Sequence, residues 1–126
     1  MTKTLEQRIA EDGITLVASP RENAPLPGPA MDWWNVQLRM GDRRMRVTFG
    51  MGKGRDGEKP SPALVLGNVL DEVTGESYED WCGEFGYDPE SREHRHTWRL
   101  IQLYTQRLRE FLGDKFGEYV NETERY

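Results

Sequence analysis

Cys82, His94 and His96 are the residues of this 126-residue chain whose types suit nucleophilic or metal chemistry, and their spacing argues against both. Tyr78, Trp81, Cys82 and Phe85 recur at i, i+3, i+4 and i+7, so the thiol belongs to the apolar stripe of a helix. A cysteine there is a small buried hydrophobe rather than a reactive thiolate. His94 and His96 stand two apart on a helix, roughly 200° around its axis, and cannot share a ligand. Zinc wants further soft donors, and the chain holds no other cysteine or histidine. The stretch Gly50-Met51-Gly52-Lys53-Gly54-Arg55-Asp56-Gly57 invites a phosphate-loop reading. A P-loop, however, needs Gly-Lys followed by Ser or Thr at the mouth of a helix, whereas Gly54 follows Lys53 here. It reads as a glycine-rich connection. No catalytic residue, no metal and no cofactor is expected, and the chain is not expected to be an enzyme.

The charged residues are more informative. Asp71 to Glu93 holds nine acidic side chains against Arg92 alone, whereas Trp33 to Lys59 holds seven basic against three acidic. Paired carboxylates do acid–base chemistry only in a cleft that separates their pKa values. Asp80, Asp88 and Glu90 are accounted for at helix N-termini, where negative charge meets the positive end of the helix dipole. Asp71, Glu72, Glu76, Glu79 and Glu84 remain in surplus. Eight carboxylates within Asp71 to Glu90 can imitate a phosphate backbone and occupy a partner's basic groove, or they can simply solubilise. Asp71, Glu72, Glu76, Glu79, Asp80, Glu84 and Asp88 therefore form one candidate docking set. Trp33 with Arg39, Arg44 and Arg46 forms a second, to which Arg43 adds a further guanidinium. Trp33 is either covered by Ala24 to Met31 or serves as an interface anchor.

These side chains must be positioned by one domain spanning residues 1–126, with net charge −5 and mean hydropathy −0.82. No uncharged run approaches the ~20 residues that cross a bilayer, and the N-terminus lacks the apolar stretch of a secretory signal. A single cysteine suits a reducing compartment, so a cytoplasmic protein is expected. Leu5 and Ile9 predict a short helix ended by Gly13, and Ile14 to Ala18 predicts a strand. Residues 19–31, with four prolines, read as a connection. WWNVQLRM and RRMRVTFGM alternate about Gly41-Asp42, predicting a hairpin over about 33–51 closed by a type II′ turn. Its register sets Leu38 against Met45, Val36 against Val47 and Trp34 against Phe49 on one face. Arg39–Arg44, Gln37–Arg46 and Asn35–Thr48 share the other.

Ser61-Pro62 opens a helix whose stripe is Leu66, Val69, Leu70 and Val73, ended by Gly75. Ser77 caps a second, which carries Tyr78, Trp81, Cys82 and Phe85 inward to a stop at Gly86. Asp88-Pro89 caps a third that runs to about Leu112. Its stripe is Trp98, Ile101, Tyr104, Leu108, Phe111 and Leu112, and Gly113 stops it. Phe116, Tyr119 and Val120 add a last helical turn, and 121–126 reads as a frayed tail. The expected fold is α+β: a small antiparallel sheet packed against three or four helices, the C-terminal one long.

WWNVQL, the hairpin ending in TFGMG, the helix PSPALVLGNVLDEV and above all SYEDWCGEFGYDPES resemble a group of small bacteriophage- and prophage-encoded proteins. The resemblance covers about Ile14 to Leu112 and is most specific at Trp81-Cys82, Phe85-Gly86-Tyr87 and Ser91. Glu90-Ser91 stands where the group usually has Asp-Ser. The likeness carries no catalytic residues to this chain. It implies phage origin and a non-enzymatic inhibitor of host defence, of the anti-CRISPR kind, acting on a nucleoprotein or nuclease complex in the host bacterial cell. Two other classes remain open: a nucleic-acid-binding accessory factor using Arg39, Arg43, Arg44, Arg46, Lys53 and Arg55, and a phage structural or assembly protein.

Overall fold

Alternation about Gly41-Asp42 builds the centre of the molecule. In the computed structural model, which describes residues 2–22, 31–52, 59–73 and 76–124, β3 (Met31–Met40) and β4 (Arg43–Gly52) form an antiparallel hairpin. Its pairs are Leu38–Met45, Val36–Val47 and Trp34–Phe49, the register expected from the alternation. Gly41 has φ of 58° and no described non-glycine residue has positive φ, which fits glycine in the first position of a type II′ turn. β2 (Thr15–Arg21) pairs with the other edge of β3, opposing Leu16 to Leu38 and Ala18 to Val36. The sheet order is therefore β2-β3-β4. The expected connection over 19–31 is shorter than composition implied. Ser19 to Arg21 extend β2 and Met31 begins β3, while residues 23–30 lie outside the described residues.

Every apolar pair of the hairpin faces the helices. α1 (Leu5–Asp12) begins at a capping box, with Gln7 N donating to Thr4 Oγ1 and Thr4 N donating to Gln7 Oε1. α2 (Pro62–Glu72) begins at Ser61, whose Oγ accepts from Leu64 N at 3.1 Å. It buries Val65, Leu66, Val69 and Leu70. It stops at Glu72, with Val73 already extended, and the expected stop at Gly75 lies outside the described residues. α3 (Tyr78–Phe85) follows. α4 (Arg92–Leu112) buries Ile101, Thr105, Leu108, Phe111 and Leu112.

α4 starts later than Asp88-Pro89 predicted. Asp88 Oδ1 accepts from Glu90 N and the Asp88 carbonyl accepts from Ser91 N, so Asp88 closes a turn before the helix instead of capping it. A 3-10 turn (Gly113–Lys115) leads into α5 (Phe116–Asn121). The tail corrects the expectation of fraying at 121–126. Asn121 is still helical, and β5 (Thr123–Glu124) pairs in parallel with β1 (Lys3–Thr4), while residues 125–126 lie outside the described residues. The molecule is α+β, with helices over one face of a three-stranded antiparallel sheet.

The two ends of the chain are joined by charge as well as by strands. Tyr119 is fully buried in the core, and its hydroxyl donates to Asp12 Oδ2 at 2.8 Å. Lys115 Nζ donates to Asp12 Oδ1 at 2.5 Å, and Arg8 bridges to Glu118 and to the Glu122 carbonyl. Burial alone would raise the Asp12 pKa, but the hydrogen bonds from Lys115 and Tyr119 and the charges of Lys115 and Arg8 hold it below its ordinary 3.8. Burial, then the bond to Asp12, pushes the Tyr119 phenol upward. A depressed carboxylate contributes stability above its unfolded pKa and loses it as pH falls through the folded one. Asp12→Ala is expected to cost about 2 kcal/mol at pH 7, because it strands the buried Tyr119 hydroxyl. Urea unfolding at pH 7 and at pH 3 checks this, with the deficit shrinking at the acid value.

Candidate functional site

Helix α3 is held by its own small core rather than by the main one. Ser77 Oγ accepts from Asp80 N at 3.2 Å to start the helix. Gly86, with φ of 69°, ends it by turning Tyr87 N back onto the Cys82 carbonyl. Between these caps Trp81 and Cys82 are buried against Ile101 of α4, with Tyr78 and Trp98 packed alongside. Trp81 is the hub. Its ring centre lies 5.1 Å from Tyr87, 5.3 Å from Trp98, 6.0 Å from Phe85 and 6.2 Å from Tyr78. Cys82 is fully buried in this cluster. The His94 ring stacks on Tyr87 at 4.4 Å and sets Nδ1 3.0 Å from the Asp88 carbonyl oxygen. Among the described residues no three His, Cys, Asp or Glu side chains are placed to hold a metal ion.

One member of the predicted inward stripe turns outward. Phe85 is 55% exposed and stacks on Tyr87, itself 38% exposed, with ring centres 5.6 Å apart. Phe85 is the last residue of α3, and the reversal at Gly86 removes the following turn that would have enclosed it. The pair lies on the surface beside the acidic residues. Its signal in the sequence is that the two rings straddle a helix-stopping glycine, where no packed partner is guaranteed.

The acidic set does not stay together. Asp71 and Glu72 from the end of α2, Glu76 from the approach to α3 and Glu84 from its last turn gather round a groove of about 330 Å³, walled by Val73, Trp81 and Phe85. The hydrogen bond to Glu76, reinforced by its charge, raises the Glu84 pKa, while burial and then the charge of Asp71 raise that of Glu72. Glu79 lines another depression together with Glu90, Arg95 and Arg99, so its surroundings are mixed in sign. Asp80 sits in the first turn of α3, and the Asp88 carboxylate is engaged by Glu90 N in the turn before α4.

The hairpin set is placed as the register required, apart from Arg43. Trp33, Arg39, Arg44 and Arg46 share the outer sheet face, away from the helices. Trp33 is half-buried between Arg21 of β2 and Gly50 of β4. The expected cover of Ala24 to Met31 over its indole falls mostly outside the described residues, as do Lys53 and Arg55. Arg43 does not join the outer face. It donates to the Phe111 carbonyl at 3.4 Å and lies against Gly113, placing a cation at the C-terminal end of α4.

A carboxyl whose folded pKa is raised contributes stability below its unfolded value and loses it as pH rises through the folded one. At neutral pH the Glu76–Glu84 contact therefore opposes folding. Glu84→Gln is expected to raise the melting temperature at pH 7 and leave it unchanged at pH 3, below the ordinary value of 4.5. Thermal melts of both proteins at the two pH values decide the point.

No protein-family model, curated protein or solved structure matches this chain, so its function is read from the geometry of its own side chains.

Proposed function

We propose that the protein is a non-enzymatic inhibitor that docks its α2–α3 groove onto the basic, nucleic-acid-binding surface of a host defence complex. The observation that carries this reading is the gathering of Asp71, Glu72, Glu76 and Glu84 beside the exposed Phe85–Tyr87 pair. Parting Glu76 from Glu84 would remove the hydrogen bond and the charge that lift the Glu84 pKa. Departures from the most stable arrangement concentrate where a surface is used. The chemistry fits an arginine- or lysine-lined groove. Carboxylates accept charge-assisted bonds from guanidinium groups, and the rings beside them offer faces for the same cations. The likeness to phage-encoded proteins supplies the biological setting, in which a nucleoprotein or nuclease complex in the cytoplasm of the host bacterium is the target.

The mimicry depends on the acidic charge carried by α3 and its approach, at Glu76 and Glu84 in the groove and at Glu79 beside it. The triple variant Glu76→Lys, Glu79→Lys and Glu84→Lys is expected to lose co-purification with the target complex and to lose inhibition of it. Circular dichroism and thermal melting should show the fold retained, since all three side chains are exposed. A folded triple variant that still inhibits overturns the proposal. The aromatic pair makes a separate contribution. Phe85→Ala with Tyr87→Ala is expected to weaken binding by about 10- to 100-fold, the range for truncating aromatic anchors, with a faster off-rate measured by surface plasmon resonance.

A further inference from the structure

The outer face of the sheet is a second surface of opposite sign, on different elements from the acidic groove. Arg39, Arg44 and Arg46 project from it, with Arg21 at its far end. The strand positions described on that face carry no carboxylate: Asp42 sits in the turn, and Asp32 has the inward parity of Trp34 and Val36. Arg107 of α4 reaches the edge of β4 and donates to the Arg46 carbonyl, bringing a further guanidinium to the rim. Between these groups lies a shallow groove of about 450 Å³ floored by Val17, Ser19, Asn35, Gln37 and Thr48. The Ser19, Asn35, Gln37 and Thr48 side chains donate and accept hydrogen bonds without repelling an anion, and Val17 adds an exposed apolar patch. At the other end Trp33 faces Gly50, which has no side chain to cover the indole from the β4 side.

We infer that this face binds a short single strand of nucleic acid, its phosphates along Arg39, Arg44 and Arg46 and one base on Trp33. Six residue steps along β3 separate the Arg39–Arg44 pair from the Trp33–Gly50 pair, about 20 Å at the usual rise, which suits a few nucleotides. Ring stacking combined with a basic track is how single strands are held without sequence readout. A duplex presents no free base to Trp33. The inference stands independently of the α2–α3 groove, since it uses none of that groove's residues.

Fluorescence anisotropy of a labelled 12-nucleotide oligothymidylate, titrated with the full-length protein at 50 mM and 300 mM NaCl, tests it. Micromolar binding is expected at the lower salt. The logarithm of affinity should fall against that of salt with a slope of about −2, as three arginines neutralise three phosphates at roughly 0.7 each. Arg39→Ala with Arg46→Ala should weaken binding at least about tenfold and flatten the slope by more than one. Trp33→Phe should keep the slope and reduce the tryptophan quenching seen on binding, which a purely ionic contact would not produce. No anisotropy change at 50 mM NaCl overturns the inference, and so does binding that the arginine double variant leaves intact. Equal displacement of the oligonucleotide by a polyglutamate peptide of matched charge also overturns it, in favour of an acidic protein segment. Because Glu76, Glu79 and Glu84 are untouched in these variants, failure here leaves the inhibitor reading standing on its own test.

Discussion

The period-two alternation of β3 and β4 is the constraint on which the rest of the molecule depends. Leu38–Met45, Val36–Val47 and Trp34–Phe49 stand on one face, and a slip of one residue would send Arg39, Gln37 and Arg46 into the core. That face must be covered. Val65, Leu66, Val69 and Leu70 of α2 and Leu108, Phe111 and Leu112 of α4 form one continuous cluster with it. Because α1, α2, α4 and α5 pack on this side, no helix among the described residues covers the other face. Its polar and basic composition follows from the same register that makes the core.

The second cluster, around Trp81, is physically separate and smaller. α3 is attached mainly through Trp81, Cys82, Trp98 and Ile101, with a bond from the Tyr78 hydroxyl to the Pro89 carbonyl at 2.7 Å. Few elements pack on it, so its local opening free energy should lie below that of the sheet and α4. An eight-residue helix with a helix-stopping glycine at one end and a serine cap at the other is a defined but lightly held platform. The crowding of Glu76 and Glu84 adds a repulsive contribution there at neutral pH. Stability and surface chemistry thus oppose one another at α3.

Much of this architecture was legible in the residues, for reasons that can be named. A two-residue turn leaves only one register that keeps both faces pure, so the hairpin could be paired on paper. Ser61, Ser77, Gly86 and Gly113 act through backbone groups within three or four residues, so caps and stops are local signals. What escaped depends on contacts far apart in the chain. Nothing near Thr123 announces a partner at Lys3, and nothing near Arg43 announces the end of α4. The division of the acidic set has the same origin. Asp71 and Glu84 meet only because α2 and α3 fold back on each other, while Glu79, five residues before Glu84, lies among arginines. Phe85 was misplaced because helical spacing states which side a residue takes, not whether anything stands there to bury it.

The two charged surfaces differ in how their charge is held, and this bears on what each can do. In the α2–α3 groove Glu76 raises the Glu84 pKa, and burial followed by the charge of Asp71 raises that of Glu72, so an approaching cation relieves a repulsion already present as well as gaining its own attraction. Such a site favours a partner that delivers several fixed cations at once, as a protein groove does. On the sheet Arg39, Arg44 and Arg46 are spread along two strands; Arg39 engages Gln37, and Arg107 of α4 engages the Arg46 carbonyl. Arg39 and Arg44 stand directly opposite one another, and binding there draws on counterion release and stacking, which suits a flexible anionic chain. If both proposals hold, the two surfaces differ in partner: a folded basic groove for α2–α3, and an extended single strand for the sheet.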